Sequence, residues 1–325
     1  MFEIGTPACL PLGIVKFEEG EHSRLCTLGM ALQHPPVHLE VKKSQRLLIT
    51  GPRADVGREY ALRYLRALGL PSQGEIEVEL AIPAYMGLES ETLMGLSVAA
   101  GIAEVHGNDP NDTLFIGQNL ALEPSQSLAL WAATRGGLLL VDSEPDGSGI
   151  PPLVHRAEPD QSEQNAWALV LVLPRVSSDE HAITLEADRM NALLQAGSAL
   201  DPASGRLFND VLWPAVENDD LPAFGDGLMA LQAMNRAALE ETNGAAVPQL
   251  NAKDEEILAV MAQNGAVAWG QSPTGLGLYA LARGARATID MRAALRPVMD
   301  YTTGHMVATI AHADGMRAVE RQLGF

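Results

Sequence analysis

One stretch early in this chain constrains its fold more than any other. Its first part, Glu75–Ala81, alternates acidic and apolar residues, which predicts a half-buried strand. The apolar positions of that strand, which should face a core, are Ile76, Val78 and Leu80. Its last part, Leu93–Val105, is rich in alanine, glycine and larger apolar residues and predicts a buried helix.

A short loop containing a glycine joins that strand to that helix. The backbone N–H groups at a helix N-terminus attract anions, so this order of elements is typical of an anion site. The residues that we predict to contact a ligand there are Gly87, Leu88, Glu89, Ser90, Glu91 and Thr92. The alternative is a plain turn in which Glu89 and Glu91 cap the helix through its first-turn amides. Both interpretations stay open on the sequence.

A second glycine-rich loop lies late in the chain, at Gly270–Gly277, between the strand-like segments Ala266–Trp269 and Leu278–Ala282. One interpretation makes this loop the opposite wall of a ligand cleft, and the other makes it an ordinary hairpin turn. The residues predicted to contact a ligand are Gly270, Gln271, Ser272 and Gly275.

The remaining segments predict a mixed fold. Leu128–Ala133 and Leu138–Val141 look like a hairpin, and Trp167–Leu173 predicts a fully buried strand. Ser143–Asn165 is rich in Pro, Gly, Ser, Asp and Glu, which favours a boundary or a long loop. Helical patterns dominate from Glu180 to Met261.

Composition excludes several classes of function. The chain carries 41 acidic and 22 basic residues, a net charge of −19, which argues against binding to nucleic acid or an anionic membrane. Its most apolar windows fall far below the roughly 20 residues of a membrane span. The two cysteines, Cys9 and Cys26, and the scattered histidines predict neither a disulfide framework nor a metal site, and no catalytic residue can be assigned. The N-terminus lacks the pattern of a signal peptide, so we expect a cytoplasmic protein.

Five blocks, taken in order, resemble the GHMP superfamily, and more narrowly the β-ribofuranosylaminobenzene 5′-phosphate synthases. These blocks are Arg24–Leu32, Ile82–Leu88, Leu96–Ala99, Leu221–Asp226 and Gly265–Ser272. The resemblance spans most of the chain.

The resemblance implies an α+β fold with a GHMP-kinase-like two-half architecture. Residues 1–160 would form a ribosomal-protein-S5-like N-terminal half, and residues 161–325 a ferredoxin-like α/β C-terminal half. A small-molecule ligand would bind in the cleft between the halves. GHMP proteins are often dimers, so the resemblance also allows a homodimer. The activity of the narrower family is phosphoribosyl transfer to an aromatic acid, with loss of pyrophosphate and CO2, in methanopterin-type biosynthesis.

The phosphate loop departs from the pattern of the family. We expect Gly-Leu-Gly-Ser-Gly in the family, but Glu89 and Glu91 replace its second and third glycines here. Glycines let backbone N–H groups approach phosphate oxygens closely. A misplaced unit charge at about 4 Å costs roughly 4 kcal/mol at an effective dielectric near 20. The sequence therefore predicts a degenerate phosphate loop.

Four positions where the family carries basic or ligand-binding side chains are also changed. They are Cys9, Pro11, Gln118 and Gln126. If phosphate is still bound, other cations must approach the loop, and the candidates are Lys16, Arg24 and Arg135.

Three hypotheses about function follow. The first is a phosphoribosyl-transferring enzyme of the resembled family, in which Mg²⁺ would stabilise the departing pyrophosphate. The second is a GHMP-type small-molecule kinase with ATP between the two loops. The third is a divergent, non-catalytic relative that binds a ligand without phosphate.

Overall fold

The structure is a computed structural model that describes residues 1–20, 22–176, 186–244, 249–300 and 303–321. The strands in these residues are β1 (Phe2–Glu19), β2 (His22–Lys42), β3 (Leu47–Thr50), β4 (Gly74–Leu80), β5 (Leu138–Asp142), β6 (Leu153–Ala157), β7 (Trp167–Pro174), β8 (Ala268–Gln271), β9 (Leu278–Arg283), β10 (Gly304–Ile310) and β11 (Arg317–Glu320). The helices are α1 (Ala54–Leu68), α2 (Ser90–His106), α3 (Thr113–Asn119), α4 (Ser127–Arg135), α5 (Glu186–Ala196), α6 (Ala203–Leu207), α7 (Trp213–Glu217), α8 (Leu221–Asn243), α9 (Ala252–Gln263) and α10 (Gly284–Leu295). Within the described ranges, no helix combines the length and apolar character needed to cross a membrane.

The first sheet is built around the long β1–β2 hairpin. Its main order is β11–β1–β2–β4–β3, and β5 pairs with the first half of β2 while β6 pairs with β5. Neighbouring strands are antiparallel except for β3 and β4, which are parallel. Because β2 is 21 residues long, one strand can pair with β5 near its start and with β4 near its end.

The second sheet is antiparallel, with the order β10–β7–β9–β8, and it is flanked by α9 and α10. The two sheets meet where β10 ends. A bridge joins Leu32 to Ala311, and the His312 N–H donates to the Ala31 carbonyl at 2.8 Å. The last strand, β11, then returns to pair with β1 in the first sheet.

Helix α2 lies in the centre of the core. All of its residues from Ser90 to Ala103 are buried except Glu91. A helix that is apolar on all sides is expected to be surrounded by other elements. Its small residues permit close packing, since a Cβ on Gly95 would lie 2.2 Å from the Tyr60 ring of α1. Its Ser97 hydroxyl meets the Thr6 hydroxyl of β1 at 2.7 Å.

Three local predictions from the sequence are wrong. Leu80 is 53% exposed, since it is the last residue of β4, at the exposed end of that strand. Residues 128–133 form helix α4, not a strand, because the alanine-rich segment follows a capping box between Glu123 and Gln126. The loop predicted at 143–165 contains strand β6.

We predict that Gly95→Val destabilises the protein by about 3 kcal/mol, because the added methyl groups would overlap the Tyr60 ring. Gly244→Val is the matched control. Gly244 also has helical backbone angles, but a Cβ there would meet nothing within 4 Å, so its effect should stay within about 0.5 kcal/mol. Urea unfolding gives both values, and equal midpoints for Gly95→Val and the wild type would contradict the packing described here.

Candidate functional site

The two glycine-containing loops predicted from the sequence pack directly against each other. The first joins β4 to α2, and the second joins β8 to β9. Backbone hydrogen bonds connect them: the Leu276 N–H donates to the Tyr85 carbonyl at 2.8 Å, and the Gly277 N–H donates to the Met86 carbonyl at 3.0 Å.

Small residues are required at this contact. A Cβ on Gly275 would lie 1.9 Å from the Gly87 nitrogen, which no side chain could tolerate. Gly87 also has a φ of +71°, a left-handed angle that favours glycine. The hydroxyl of Ser272, a fully buried residue, donates to the Gly87 carbonyl at 2.9 Å. The second loop therefore packs against the first loop and holds its backbone in place.

The space in front of the first loop is occupied by the carboxylate of Glu186, the first residue described in α5. Its Oε1 accepts hydrogen bonds from the N–H groups of Gly87 at 2.7 Å and Leu88 at 3.2 Å. Its Oε2 accepts from the Ser90 N–H at 2.7 Å and from the Ser90 hydroxyl at 2.9 Å. Glu186 is 5% exposed, so water hardly reaches this carboxylate.

This arrangement is that of an anion bound at a helix N-terminus, with the anion supplied by the protein itself. The donors lie at the start of α2, where unpaired N–H groups and the helix dipole favour negative charge. Sequence reasoning missed Glu186 because it is 96 to 99 residues away from its partners. No spacing or motif near residue 186 indicates such a role.

Glu89 does not cap α2, so the capping alternative considered from the sequence is wrong for this residue. Its backbone has a φ of +57° at the N-cap position, and its side chain makes no capping hydrogen bond. The side chain is 2% exposed, and its Oε1 has no hydrogen-bond partner among the described residues. Burial, and then the charge of Glu186, raise the pKa of this carboxyl well above its usual value. Both effects favour the neutral, protonated form of Glu89.

A cavity of about 190 Å³ lies on the other side of Glu186, next to Arg53, Tyr85 and Glu91. Burial raises the pKa of Glu91, while the nearby charge of Arg53 lowers it and that of Glu186 raises it. The Nη1 of Arg53 donates to the Ile82 carbonyl at 3.3 Å. Arg53 thus places a positive charge beside the first loop.

Arg189 and Cys9 are the other ionisable groups influenced by Glu186. Burial lowers the pKa of Arg189, and Glu186 opposes that shift. The Nη1 of Arg189 is buried, and no described residue hydrogen-bonds to it. Burial raises the pKa of the Cys9 thiol well above its usual value, and Glu89 and Glu186 raise it further. Cys9 is therefore a protonated thiol and not an activated nucleophile.

Two of the three cations proposed from the sequence to compensate for the acidic loop have other partners, and the third is exposed. Lys16 donates to the Ser198 carbonyl at 3.0 Å, Arg24 pairs with Asp142 at 2.6 Å, and Arg135 is exposed at the end of α4. Among the described residues, Arg53 acts electrostatically on Glu91, and Arg189 interacts with Glu186.

The predicted ligand residues of the second loop separate into two environments. Gly270 and Gln271 line a cavity of about 320 Å³, whereas Ser272 and Gly275 are buried against the first loop. Of the changed family positions, Gln126 donates to the Thr92 hydroxyl at 2.9 Å, and Gln118 contacts the Ser148 carbonyl.

The carboxyl groups at the loop do not fit a Mg²⁺ site as arranged here. Both oxygens of Glu186 accept hydrogen bonds from donors of the loop, and burial raises the pKa of Glu89, which disfavours its charged form. Mg²⁺ prefers several deprotonated or neutral oxygen ligands in octahedral geometry. Over the described part of the chain, no group of three or more His, Cys, Asp or Glu side chains could hold a metal ion.

Comparisons with known proteins find relatives by structure alone. No family profile matches the chain, and no curated protein sequence does. The structure is similar to homoserine kinase from Cytophaga hutchinsonii, with a TM-score of 0.62 and 16% identity over 98% of this chain and 97% of that one. It is also similar to L. major mevalonate kinase in complex with R-mevalonate, with a TM-score of 0.65 and 13% identity over 96% of each chain. A third similar structure is mevalonate diphosphate decarboxylase from Staphylococcus aureus. Its TM-score is 0.62, with 12% identity over 98% of this chain and 99% of that one.

These similarities confirm the predicted fold class. The chain has the α+β fold of the GHMP kinases, and the match covers nearly its full length. At such low identity the similarity establishes fold and not activity. The narrower resemblance to β-ribofuranosylaminobenzene 5′-phosphate synthase stays a prediction.

The buried acid pair generates a prediction about pH. Because the pKa of Glu89 is raised in the native state, the native protein binds more protons than the unfolded chain above the ordinary value of 4.5. The contribution of Glu89 to the free energy of unfolding must therefore fall as pH rises from about 5 toward the native pKa, at up to about 1.4 kcal/mol per pH unit. Glu89→Gln removes this loss. The free energy of unfolding of this variant, relative to that of the wild type, should therefore increase with pH. Urea unfolding between pH 5 and 8 measures the difference.

Glu241→Gln is the control for that series, because Glu241 is exposed near the end of α8. Its stability should follow the wild-type curve at every pH. Parallel curves for Glu89→Gln and the wild type would show that Glu89 ionises normally in the folded protein.

Proposed function

We propose that this protein is a non-catalytic ligand-binding relative of the GHMP kinases that binds an uncharged small molecule and leaves its phosphate loop closed by Glu186. One observation carries the proposal: the Glu186 carboxylate accepts hydrogen bonds from three backbone N–H groups and one hydroxyl of the loop. These are the donors that a nucleotide or pyrophosphate would need at the start of α2.

Displacing Glu186 is costly. A hydrogen bond to a charged group contributes about 1.5–3 kcal/mol, so losing even one weakens anion binding by roughly ten- to 150-fold. The released carboxylate would also remain near the incoming anion, since α5 is packed against α8. Glu89 lies buried at the same place and would ionise less readily still beside a second anion.

A kinase of the GHMP type is the second candidate, and two observations favour it. The fold neighbours include homoserine and mevalonate kinases. The charges of Arg53 and Arg189 also lie close to the loop, and a guanidinium is well suited to hold a phosphate. In this hypothesis Glu186 leaves the loop when ATP binds.

Phosphoribosyl transfer is the narrower form of the catalytic hypothesis. It would join a phosphoribosyl group to an aromatic acid with loss of pyrophosphate and CO2, and Mg²⁺ would balance the charge of the pyrophosphate. It requires the same displacement of Glu186, because the pyrophosphate would need the loop donors. Support for it comes from the sequence blocks alone.

The test is to titrate ATP, phosphoribosyl pyrophosphate and pyrophosphate into the wild type and into Glu186→Ala, each with and without Mg²⁺, and to follow thermal unfolding. We expect none of the three to stabilise the wild type. Glu186→Ala should lose about 1.5–3 kcal/mol of stability. Pyrophosphate should then stabilise this variant, by about 2.7 kcal/mol at a hundredfold excess over Kd, because the donors are free.

Asp188→Ala is the matched control. Asp188 lies in the same helix, is exposed, and its removal deletes the same charge without opening the loop. It should respond to pyrophosphate as the wild type does. Stabilisation of the wild type by ATP or phosphoribosyl pyrophosphate would overturn the proposal and favour the catalytic candidates.

A further inference from the structure

The small cavity beside Glu186 is lined by side chains of opposite charge. Its volume is about 190 Å³, and besides Glu186 its walls include Arg53, Val56, Ala84, Tyr85 and Glu91. At about 30 Å³ for each water molecule of liquid water, this is room for a ligand of about six non-hydrogen atoms. A molecule that fills this cavity is therefore small.

Arg53 and Glu91 both line the cavity, but they do not form an ion pair with each other or with another described residue. The Nη1 of Arg53 donates to the Ile82 carbonyl at 3.3 Å, which leaves most of the five N–H groups of the guanidinium available. Burial raises the pKa of Glu91, and the charge of Arg53 then lowers it, so the two charges act on each other without contact. A cation and an anion thus stand apart at one cavity.

The third charged group in the wall is already occupied. Both carboxylate oxygens of Glu186 accept hydrogen bonds from the loop, through the N–H groups of Gly87, Leu88 and Ser90. The charges that remain for a ligand are therefore one guanidinium and one carboxylate. A ligand with a single charge would gain one of these partners and would be repelled by the other.

The backbone at this cavity is strained. Arg53 has a φ of +55° and Tyr85 a φ of +66°, and both residues line the cavity. Positive φ angles are uncommon in residues other than glycine, and such residues concentrate at ligand-binding and active sites. The strain at Arg53 and Tyr85 therefore supports a binding role for the cavity independently of its charges.

We propose that this cavity binds a small α-amino acid as a zwitterion, with its carboxylate on the Arg53 guanidinium and its ammonium group on the Glu91 carboxylate. A guanidinium can hold a carboxylate through two parallel hydrogen bonds, and an ammonium group beside Glu91 favours the ionised form of that side chain. The inference rests on the proposed function, because a zwitterion has no net charge and binds beside the loop that Glu186 keeps closed.

L-Alanine, propionate and ethylamine form a matched series of probes for the wild type. Propionate lacks the ammonium group of alanine, and ethylamine lacks its carboxylate. We expect L-alanine to shift the methyl signals of Val56 in a ¹³C–¹H NMR titration, with these signals assigned from Val56→Ala. L-Alanine should bind at least about tenfold more tightly than propionate or ethylamine, because each of these loses one charged hydrogen-bonded partner.

Glu91→Gln tests the assignment of the ammonium group, since it keeps the size of the side chain and removes its charge. This variant should bind L-alanine and propionate within about threefold of each other, because only the carboxylate contact to Arg53 distinguishes a charged partner. Glu59→Gln is the matched control, since Glu59 is exposed on α1 and does not line the cavity. It should keep the wild-type preference for L-alanine within about twofold.

The proposal is overturned if L-alanine leaves the Val56 signals of the wild type unaffected, or if propionate or ethylamine binds as tightly as L-alanine. It is also overturned if Glu91→Gln keeps the full preference for L-alanine. The wild-type series decides independently of how well the variants fold. Failure of the closed-loop proposal gives a different result, which is stabilisation of the wild type by ATP or phosphoribosyl pyrophosphate in the absence of any amino acid.

Discussion

The hydrogen bonds between Glu186 and the start of α2 are the interaction on which the rest of this structure depends. Helix α2 is buried in the core, so its first N–H groups cannot be satisfied by water. These N–H groups need an acceptor from the protein itself. Glu186 supplies two carboxylate oxygens, which lie 2.7–3.2 Å from the backbone nitrogens of the loop. That contact ties the start of α5 to the loop between β4 and α2 and occupies the N–H groups of that loop.

Burial and the negative charge at this place together act on the ionisable groups around it. Burial, and then the charge of Glu186, raise the pKa of Glu89 and so disfavour its charged form. Burial, reinforced by Glu89 and Glu186, also raises the pKa of the Cys9 thiol, while Glu186 opposes the effect of burial on the pKa of Arg189. Here the protein itself supplies the negative charge at the start of α2, and this is why we propose ligand binding and not phosphate transfer.

Much of the fold was predictable because it depends on local patterns. The alternation in residues 75–81 predicted strand β4, and the apolar stretch before Gly107 predicted helix α2. The glycines of residues 270–277 predicted the turn between β8 and β9. Predictions were wrong where a short apolar segment fits two structures: residues 128–133 became a helix because Glu123 and Gln126 start it. Leu80 fits the apolar alternation, but it is exposed because it is the last residue of β4.

By itself, the sequence determined that two glycine-containing loops exist and that Glu89 and Glu91 stand in the first of them, since both follow from residue types at neighbouring positions. Only the tertiary structure decided what binds the loop instead. The donor atoms belong to Gly87, Leu88 and Ser90, and their acceptor lies almost a hundred residues later on another helix. A hydrogen bond depends on distance in space, and the packing of α5 sets that distance.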